Sequence, residues 1–275
     1  MENLAVLQER AMRIRKNIVR MVTAARSGHP GGSLSAVEIV ETIYFTQMNV
    51  DESNVDDVLR DKFVLSKGHA SPVLYATLAE KGFIKEEDLI TFRKLGSPLQ
   101  GHPSMKLVRG VDMSTGSLGQ GISAAVGMAL ANKAHDVPYR VYTLLGDGEC
   151  QEGQVWEAAM AAAHYHLDNL LAVVDYNGLQ IDGDITEVMN PLPFDEKFKA
   201  FGWHVICVEN GNDFEALYQA CEEAKQIKGK PTVILAKTVK GKGISFMENQ
   251  ANWHGVAPSE EECAKALAEL EGGNA

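Results

Sequence analysis

Two short segments of the chain carry oxygen-bearing side chains that suit a hard cation. Asp147 lies between two glycines, and Asn177 follows 30 residues later, directly before Gly178. Mg²⁺ accepts carboxylate, amide and carbonyl oxygens, usually beside phosphate oxygens and water, and the carbonyl of Leu179 could be a third protein ligand. One protein charge would leave the cation positive enough to hold a diphosphate. The N–H groups of the glycines around Asp147 could bind its oxygens, so the spacing indicates a joint metal and diphosphate site.

The hydrophobic pattern predicts the elements that would position these segments. A predicted strand over residues 140–145 precedes Asp147, and another over residues 170–175 precedes Asn177. One βαβ unit takes roughly 30 residues. Both side chains would then follow the carboxyl ends of parallel strands, where open α/β sheets bind ligands. A lone Gly-Asp-Gly or Asn-Gly is more often a surface turn, but the two strand contexts favour a site.

The remaining pattern alternates between strands and helices. It predicts one α/β domain over residues 1–275, with a central parallel sheet and helices on both faces. The strands are predicted at 62–66, 140–145, 170–175, 203–208 and 232–236. Helices are predicted at 4–26, from Ser35 with Glu38 completing a capping box, after Gly68-His69, and at 118–134, 152–163 and 212–227. A breaker-rich loop is predicted at 27–32, and a frayed tail at 272–275.

Composition excludes several classes of function. The 275 residues carry 26 Lys and Arg against 37 Asp and Glu, a net charge of −11, which argues against nucleic acid or an anionic membrane surface as the partner. No uncharged apolar run approaches the roughly 20 residues that span a bilayer, and the first residues lack a signal-peptide pattern. The four cysteines form no CxxC pair and are expected to be reduced thiols. We therefore expect a cytoplasmic protein.

Gly146-Asp147-Gly148 followed by Asn177 resembles the signature of thiamine-diphosphate enzymes, and the fold expected is that of their diphosphate-binding domains. Further segments resemble transketolases in particular; each is weak alone, but they occur in the family's order and cover nearly the whole chain. These segments are Ser27-Gly28-His29-Pro30-Gly31, Leu65-Ser66-Lys67-Gly68-His69-Ala70, Gly101-His102-Pro103, Thr115-Gly116-Ser117-Leu118-Gly119-Gln120-Gly121, Gln151-Glu152-Gly153, Ile181-Asp182-Gly183, Lys237-Thr238, Lys240-Gly241-Lys242-Gly243 and Trp253-His254-Gly255-Val256-Ala257-Pro258.

The resemblance implies a role for each matching residue. Asp147, Asn177 and the carbonyl of Leu179 would bind Mg²⁺ or Ca²⁺. Contacts to thiamine diphosphate would come from His69, Gly116, Leu118, Gly148, Asn177 and His254. The catalytic residues facing the sugar would be His29, His102 and His254. Glu152 would join a glutamate network across the subunit interface.

The chemistry suits these residue types. Transfer of a two-carbon unit between sugars needs groups that exchange protons near neutral pH, as imidazoles do, while the cofactor stabilises the carbanion. Taken alone, His29 and His102 would be ordinary loop residues. Lysines in the segment 237–242 could form a solvated basic turn or support a phosphate. Four histidines match no family segment and are expected to be structural or on the surface: His135, His164, His166 and His204.

The resemblance stops before the family's second domain, which supplies the glutamate that activates the cofactor and most of the groups that grip the sugar phosphate. The chain therefore resembles the N-terminal subunit of a split transketolase of the pentose phosphate pathway. A separate C-terminal transketolase subunit would complete the site, in a hetero-oligomer with two copies of each chain. Sugar phosphates would be the substrates. Two alternatives stay open: another thiamine-diphosphate enzyme, such as a deoxyxylulose-phosphate synthase or a 2-oxo-acid dehydrogenase component, and a non-catalytic diphosphate- and metal-binding module.

Overall fold

The computed structural model describes residues 3–135, 137 and 139–272. The α-helices are α1 (Leu4–Ala25), α2 (Pro30–Leu34), α3 (Val37–Thr42), α4 (Ser71–Glu80), α5 (Gln120–His135), α6 (Gly153–His164), α7 (Ile185–Met189), α8 (Phe194–Ala200), α9 (Phe214–Gln226) and α10 (Glu260–Glu271). The strands are β1 (Lys62–Leu65), β2 (Val141–Gly146), β3 (Leu170–Tyr176), β4 (Leu179–Gln180), β5 (Gly183–Asp184), β6 (His204–Val208) and β7 (Thr232–Lys237). Single helical turns cover Ile43–Gln47, Gly68–Ala70, Glu86–Thr91, Gly148–Gln151 and Ala251–Trp253.

The five long strands form a parallel sheet in the order β1-β2-β3-β7-β6. Strand β2 is buried along its whole length, as strands covered on both faces are. Successive residues point to opposite faces, so Leu144 belongs to a core cluster with residues of α1, α3, α4, α9 and α10. Leu145 belongs to a second cluster with residues of α5, α6 and α8. The predicted α/β fold with a central parallel sheet and helices on both faces is confirmed. In the described part of the chain, no helix combines the length and apolarity needed to cross a membrane.

The predicted capping box at Ser35 is wrong. Ser35 has helical backbone angles at the end of α2, and the following helix α3 begins two residues later, after Ala36, without a side-chain cap. Ser35 Oγ instead donates to the buried Asp175 at 2.6 Å. The Glu38 carboxylate accepts a hydrogen bond from the guanidinium of Arg15 at 2.6 Å. Buried charges offer these polar groups stronger partners than free helix ends do.

The structure also contains helices and a short hairpin that the sequence pattern does not predict. Residues 30–34 form helix α2 rather than a loop, because proline is well suited to the first turn of a helix. The sequence pattern did not reveal the hairpin of β4 and β5, nor helices α7, α8 and α10. The predicted tail at 272–275 lies outside the described residues, apart from Gly272, which ends α10.

Three glycine-rich loops meet at the carboxyl edge of the sheet, held by the buried Glu149. One carboxylate oxygen of Glu149 accepts from Ser66 Oγ at 2.5 Å and from Gly119 N at 2.9 Å; the other accepts from Gly146 N at 3.0 Å. Gly121 allows the closest approach, since a Cβ there would lie 2.5 Å from Ser66 Cα. The start of α5 is thereby packed directly on the end of β1.

Two glycines in α5 give a matched test of this close approach. Gly121→Ala should lower the free energy of unfolding by about 1–3 kcal/mol, because the new methyl group meets backbone that cannot move freely. Gly127→Ala, where a Cβ would meet nothing within 4 Å, should raise it by up to about 1 kcal/mol through helix propensity. Urea unfolding followed by circular dichroism measures both. Equal effects of the two substitutions would show that the contact at Gly121 is not tight.

Candidate functional site

A cavity of about 410 Å³ opens where the carboxyl ends of β2 and β3 meet the first turn of α2. Its lining includes most of the predicted site residues: His29, His69, Gly116, Leu118, Asp147, Gly148, Glu152, Asn177, Leu179 and His254. Residues far apart in the chain are therefore brought together, as expected for the carboxyl edge of a parallel sheet. His102 is not part of this lining.

Asp147 lies at the floor of the cavity and is only 2% exposed. Its two oxygens accept from backbone N–H groups, Gly148 at 2.8 Å and Gly178 at 2.6 Å. Burial, together with the negative charge of Asp175, raises the pKa of Asp147 to about 6. The ion pairs of the described residues do not include Asp147. A buried carboxylate without a cationic partner is costly, so a bound cation would relieve this cost.

The other two predicted metal ligands lie beside it. Asn177 Oδ1 accepts from Leu179 N at 3.1 Å, and the Leu179 carbonyl accepts from Lys240 Nζ at 2.8 Å. An oxygen can accept more than one contact, so both remain able to bind a cation. The three oxygens, carrying one charge, fit Mg²⁺ with further ligands from phosphate and water. No group of three His, Cys, Asp or Glu residues suited to a metal occurs in the described ranges.

A buried ion pair that sequence reasoning missed lies behind Asp147. Lys67 Nζ contacts Asp175 at 2.5 Å and donates to the Gly32 carbonyl at 3.0 Å. Burial opposes the charge on Asp175, but Lys67 and hydrogen bonds from Ser35 and Thr238 outweigh it and lower the pKa of this carboxyl. Lys67 lies in a transketolase-like segment and Asp175 ends a predicted strand, but nothing in their spacing indicates that the two side chains meet.

Lys240 is a second buried cation at the cavity. The interpretation of the 237–242 segment as a solvated turn suits the exposed Lys237, but it is wrong for Lys240, which is 1% exposed. Lys240 Nζ lies 3.0 Å from Nδ1 of His254. Burial and the charge of Lys67 lower the pKa of Lys240 to about 8. The charges of Lys67 and Lys240 are opposed by those of Asp175 and Asp147, so a bound divalent cation would give the cavity the excess positive charge that suits an anionic ligand.

Three histidine rings form a triangle on the cavity wall. The ring centroid of His29 lies 5.2 Å from that of His69 and 5.5 Å from that of His254, and the last two lie 5.2 Å apart. Burial, reinforced by nearby cations, lowers the pKa of His29 to about 4 and that of His254 to about 3, and moves the pKa of His69 well below its ordinary value. The rings are therefore neutral at pH 7 and able to accept or donate hydrogen bonds.

His102 and Glu152 lie at the rim. Gly116 has a φ of +149°, and a Cβ there would lie 3.0 Å from the ring of His102, so only glycine lets this ring pack on the loop. Burial and the charge of Arg93 lower the pKa of His102. Glu152 is exposed and packs beside Gly119 at the cavity mouth. The other histidines lie away from the cavity, as expected: His135, His164, His166 and His204.

The fold and the site together indicate a protein that binds an anionic ligand at the carboxyl edge of a parallel sheet. Comparison with protein families identifies which kind of protein this is. Residues 6–272 match the family described as "Transketolase, thiamine diphosphate binding domain". The chain belongs to this family, which confirms the predicted thiamine-diphosphate-binding, N-terminal part of a transketolase.

Similar proteins fall into two length classes: some are about as long as this chain, and others are more than twice as long. The chain is 47% identical, over 96% of both proteins, to the 6-deoxy-6-sulfo-D-fructose transketolase subunit SqwG of Clostridium sp. (strain MSTE9). It is 42% identical to an apulose-4-phosphate transketolase subunit of Phocaeicola vulgatus, over 93% of this chain and 90% of that protein. Human transketolase is 44% identical, but the chain covers only 40% of its length.

Solved structures agree. A transketolase mutant from Pichia stipitis superposes with a TM-score of 0.92 at 35% identity, over 97% of this chain and 41% of that one. The Campylobacter jejuni transketolase gives 0.91 at 36% identity, over 98% of this chain and 43% of that one. The similarity to transketolases therefore weakens the alternatives of other thiamine-diphosphate enzymes.

Asp147→Ala tests the metal site. Loss of the charged ligand should weaken thiamine diphosphate binding in the presence of Mg²⁺ by about 10–100-fold. Affinity of the unaltered protein should also fall as the pH drops below about 6, because the raised pKa of Asp147 lets a proton compete with the cation. Calorimetry on the chain assembled with its partner measures both. Asp88→Ala, at an exposed site outside the cavity, is the control, and unchanged affinity in Asp147→Ala would remove Asp147 from the site.

Proposed function

We propose that this chain is the N-terminal subunit of a two-chain transketolase. The reaction is reversible transfer of a two-carbon ketol unit from a ketose phosphate to an aldose phosphate, with thiamine diphosphate and Mg²⁺ or Ca²⁺ at a site that a C-terminal subunit completes. The observation that carries this proposal is one cavity in which oxygen ligands and buried lysines adjoin a triangle of neutral histidines. An anion-binding end and a proton-exchanging end are both needed for this chemistry.

The anionic end would be held by the residues at the strand ends. Asp147, Asn177 and the Leu179 carbonyl would bind the metal, while His69 and Gly148 would contact the diphosphate. Lys240 lies close enough to the Leu179 carbonyl to add its charge there. Carbanion stabilisation comes from bound thiamine diphosphate.

At the other end, His29, His102 and His254 would exchange protons with sugar hydroxyls. A neutral imidazole is ready to accept a proton at pH 7, and such groups contribute about 10²–10⁴-fold to rates. The lowered pKa values of His29 and His254 keep them in that state. Gly116 and Leu118 would lie against the cofactor rings, and their loop is fixed through Glu149.

The assembly proposed has two copies of each chain, with Glu152 at the interface, in the cytoplasm and within the pentose phosphate pathway. Each chain of this kind would form one domain over residues 1–275. Support comes from relatives named as subunits and from the exposed position of Glu152 at the cavity mouth. The aminopyrimidine-activating glutamate would come from the partner.

The substrate proposal is a sugar phosphate. Among the relatives, one name specifies a sulfosugar and another a phosphosugar; both substrates end in an anionic group. Assays with fructose 6-phosphate, xylulose 5-phosphate and 6-deoxy-6-sulfo-D-fructose as donors would rank them by kcat/KM. A clear preference for the sulfonate would replace the phosphate proposal while leaving the transferase class intact.

The purified chain alone should show no transfer activity and weak cofactor binding, because part of the cofactor pocket belongs to the partner. Addition of the C-terminal chain should restore both, and the two should co-elute as a symmetric assembly. The measurement is ketose-to-aldose transfer at saturating thiamine diphosphate and Mg²⁺. Full activity of the chain by itself would contradict the two-chain proposal; a stable complex without any transfer would favour a non-catalytic module.

Two histidine variants separate chemistry from binding. His102→Ala should leave cofactor affinity nearly intact and lower kcat by about 10²–10⁴-fold. His69→Ala should weaken cofactor binding more than it slows the saturated enzyme, since His69 lies in the cavity beside Lys67. Calorimetry and steady-state kinetics on the assembled enzyme give the comparison. The same pattern in both variants would show that the division of roles is incorrect.

A further inference from the structure

Arg93 lies between the two loops that carry His29 and His102. Its guanidinium Nη1 donates to Ser27 Oγ at 2.7 Å, two residues before His29. On its other side, a Cβ at Gly101 would lie 2.6 Å from both Nε and Nη2, directly before His102. One planar group therefore contacts both loops at once.

The backbone at Arg93 is constrained as well. Its φ of +59° is left-handed, which is uncommon for a residue other than glycine. Arg93 N donates to the Leu99 carbonyl at 2.8 Å, which closes the turn leading to Gly101. Backbone strain of this kind persists where surrounding structure fixes it, often near functional sites.

The charge of Arg93 has no acidic partner among the ion pairs of the described residues. Its Nε is buried and lacks a hydrogen-bond partner. After burial, Arg93 is the strongest influence that lowers the pKa of His29, and it is the charge that lowers the pKa of His102. The groups whose charge lowers the pKa of His29 come from several elements, namely Arg93, His102, Lys240 and Lys67, and the rings of His69 and His254 pack beside it.

We propose that Arg93 is a positioning residue that joins the two histidine loops and supplies a fixed positive charge beside them. This inference rests on the proposed roles of His29 and His102 at the sugar. The guanidinium group contacts both loops and sets their separation, and its unneutralised charge adds to the effect of burial in keeping both imidazoles uncharged. Lysine would retain the charge but lose the fork, whereas glutamine would lose the charge.

The test compares Arg93→Gln, Arg93→Lys and Ser27→Ala in the assembled enzyme, with Arg109→Gln as control. Arg109 is an exposed arginine paired with Asp56, so its loss removes one charge from the surface and should leave activity unchanged. Misplacement of reacting groups by about 1 Å can lower the reaction rate by about 10²-fold. We expect kcat to fall by about 10–100-fold in the three test variants, with cofactor affinity unchanged.

The pH dependence separates charge from geometry. Without the cation, the pKa values of His29 and His102 rise, so the acid limb of the kcat/KM profile should move to higher pH in Arg93→Gln. It should stay in place in Arg93→Lys and Ser27→Ala. Histidine ring titration by NMR on the full chain reads the same shift without any assay of activity. A purely structural arginine would change kcat and leave both titrations where they were.

Two results would overturn the proposal: unshifted titration of both histidines in a folded Arg93→Gln, or unreduced kcat in Arg93→Lys and Ser27→Ala. If Arg93→Gln fails to fold, the kcat values of Arg93→Lys and Ser27→Ala still test the proposal. Absence of transfer activity in the unaltered complex would defeat the proposed function instead. In that case the NMR titration would still decide whether Arg93 sets the charge state of the two rings.

Discussion

The buried ion pair between Lys67 and Asp175 is the interaction on which the site depends. Lys67 follows β1 and Asp175 lies in β3, so the pair reaches across the intervening strand β2. Burying two charges is favourable only when each finds good partners. Gly32, Ser35 and Thr238 supply them, and in doing so they attach α2 and the end of β7 to the sheet edge.

This pair also sets the electrostatics of the cavity. Asp175 stays ionised. Burial is the main cause of the pKa shifts around it; the charge of Asp175 adds to the raised pKa of Asp147, and Lys67 adds to the lowered pKa of Lys240 and of the three clustered histidines. The chain carries a net charge of −11, yet the site contains buried cations and neutral imidazoles. Global charge therefore says little about the ligand, because local burial decides which groups keep their charge.

Sequence alone predicted the parts of this molecule that obey local rules. Alternation of apolar runs indicated the five parallel strands, and spacing placed Asp147 and Asn177 at adjacent strand ends. Contacts between residues distant in the sequence determined the positions of other side chains, which spacing along the chain cannot predict. Ser35 had a good capping pattern, but Asp175 was a stronger partner. Lys240 looked like one of several lysines in a turn, but its side chain is buried beside Gly31 and contacts the Leu179 carbonyl and His254. Arg93 stood in no recognisable motif of its own.

The buried Lys240 has a consequence for the lifetime of the protein in a cell. Burial lowers the pKa of Lys240, so the folded chain holds this ammonium at a cost that the carboxylates of Asp147 and Asp175 offset only in part. An anion that binds the folded form and not the unfolded one shifts the folding equilibrium by mass action. Chains without a bound anion thus spend more time unfolded, where proteases act on them. A bound diphosphate would then raise the fraction of folded chains, in addition to its part in the reaction.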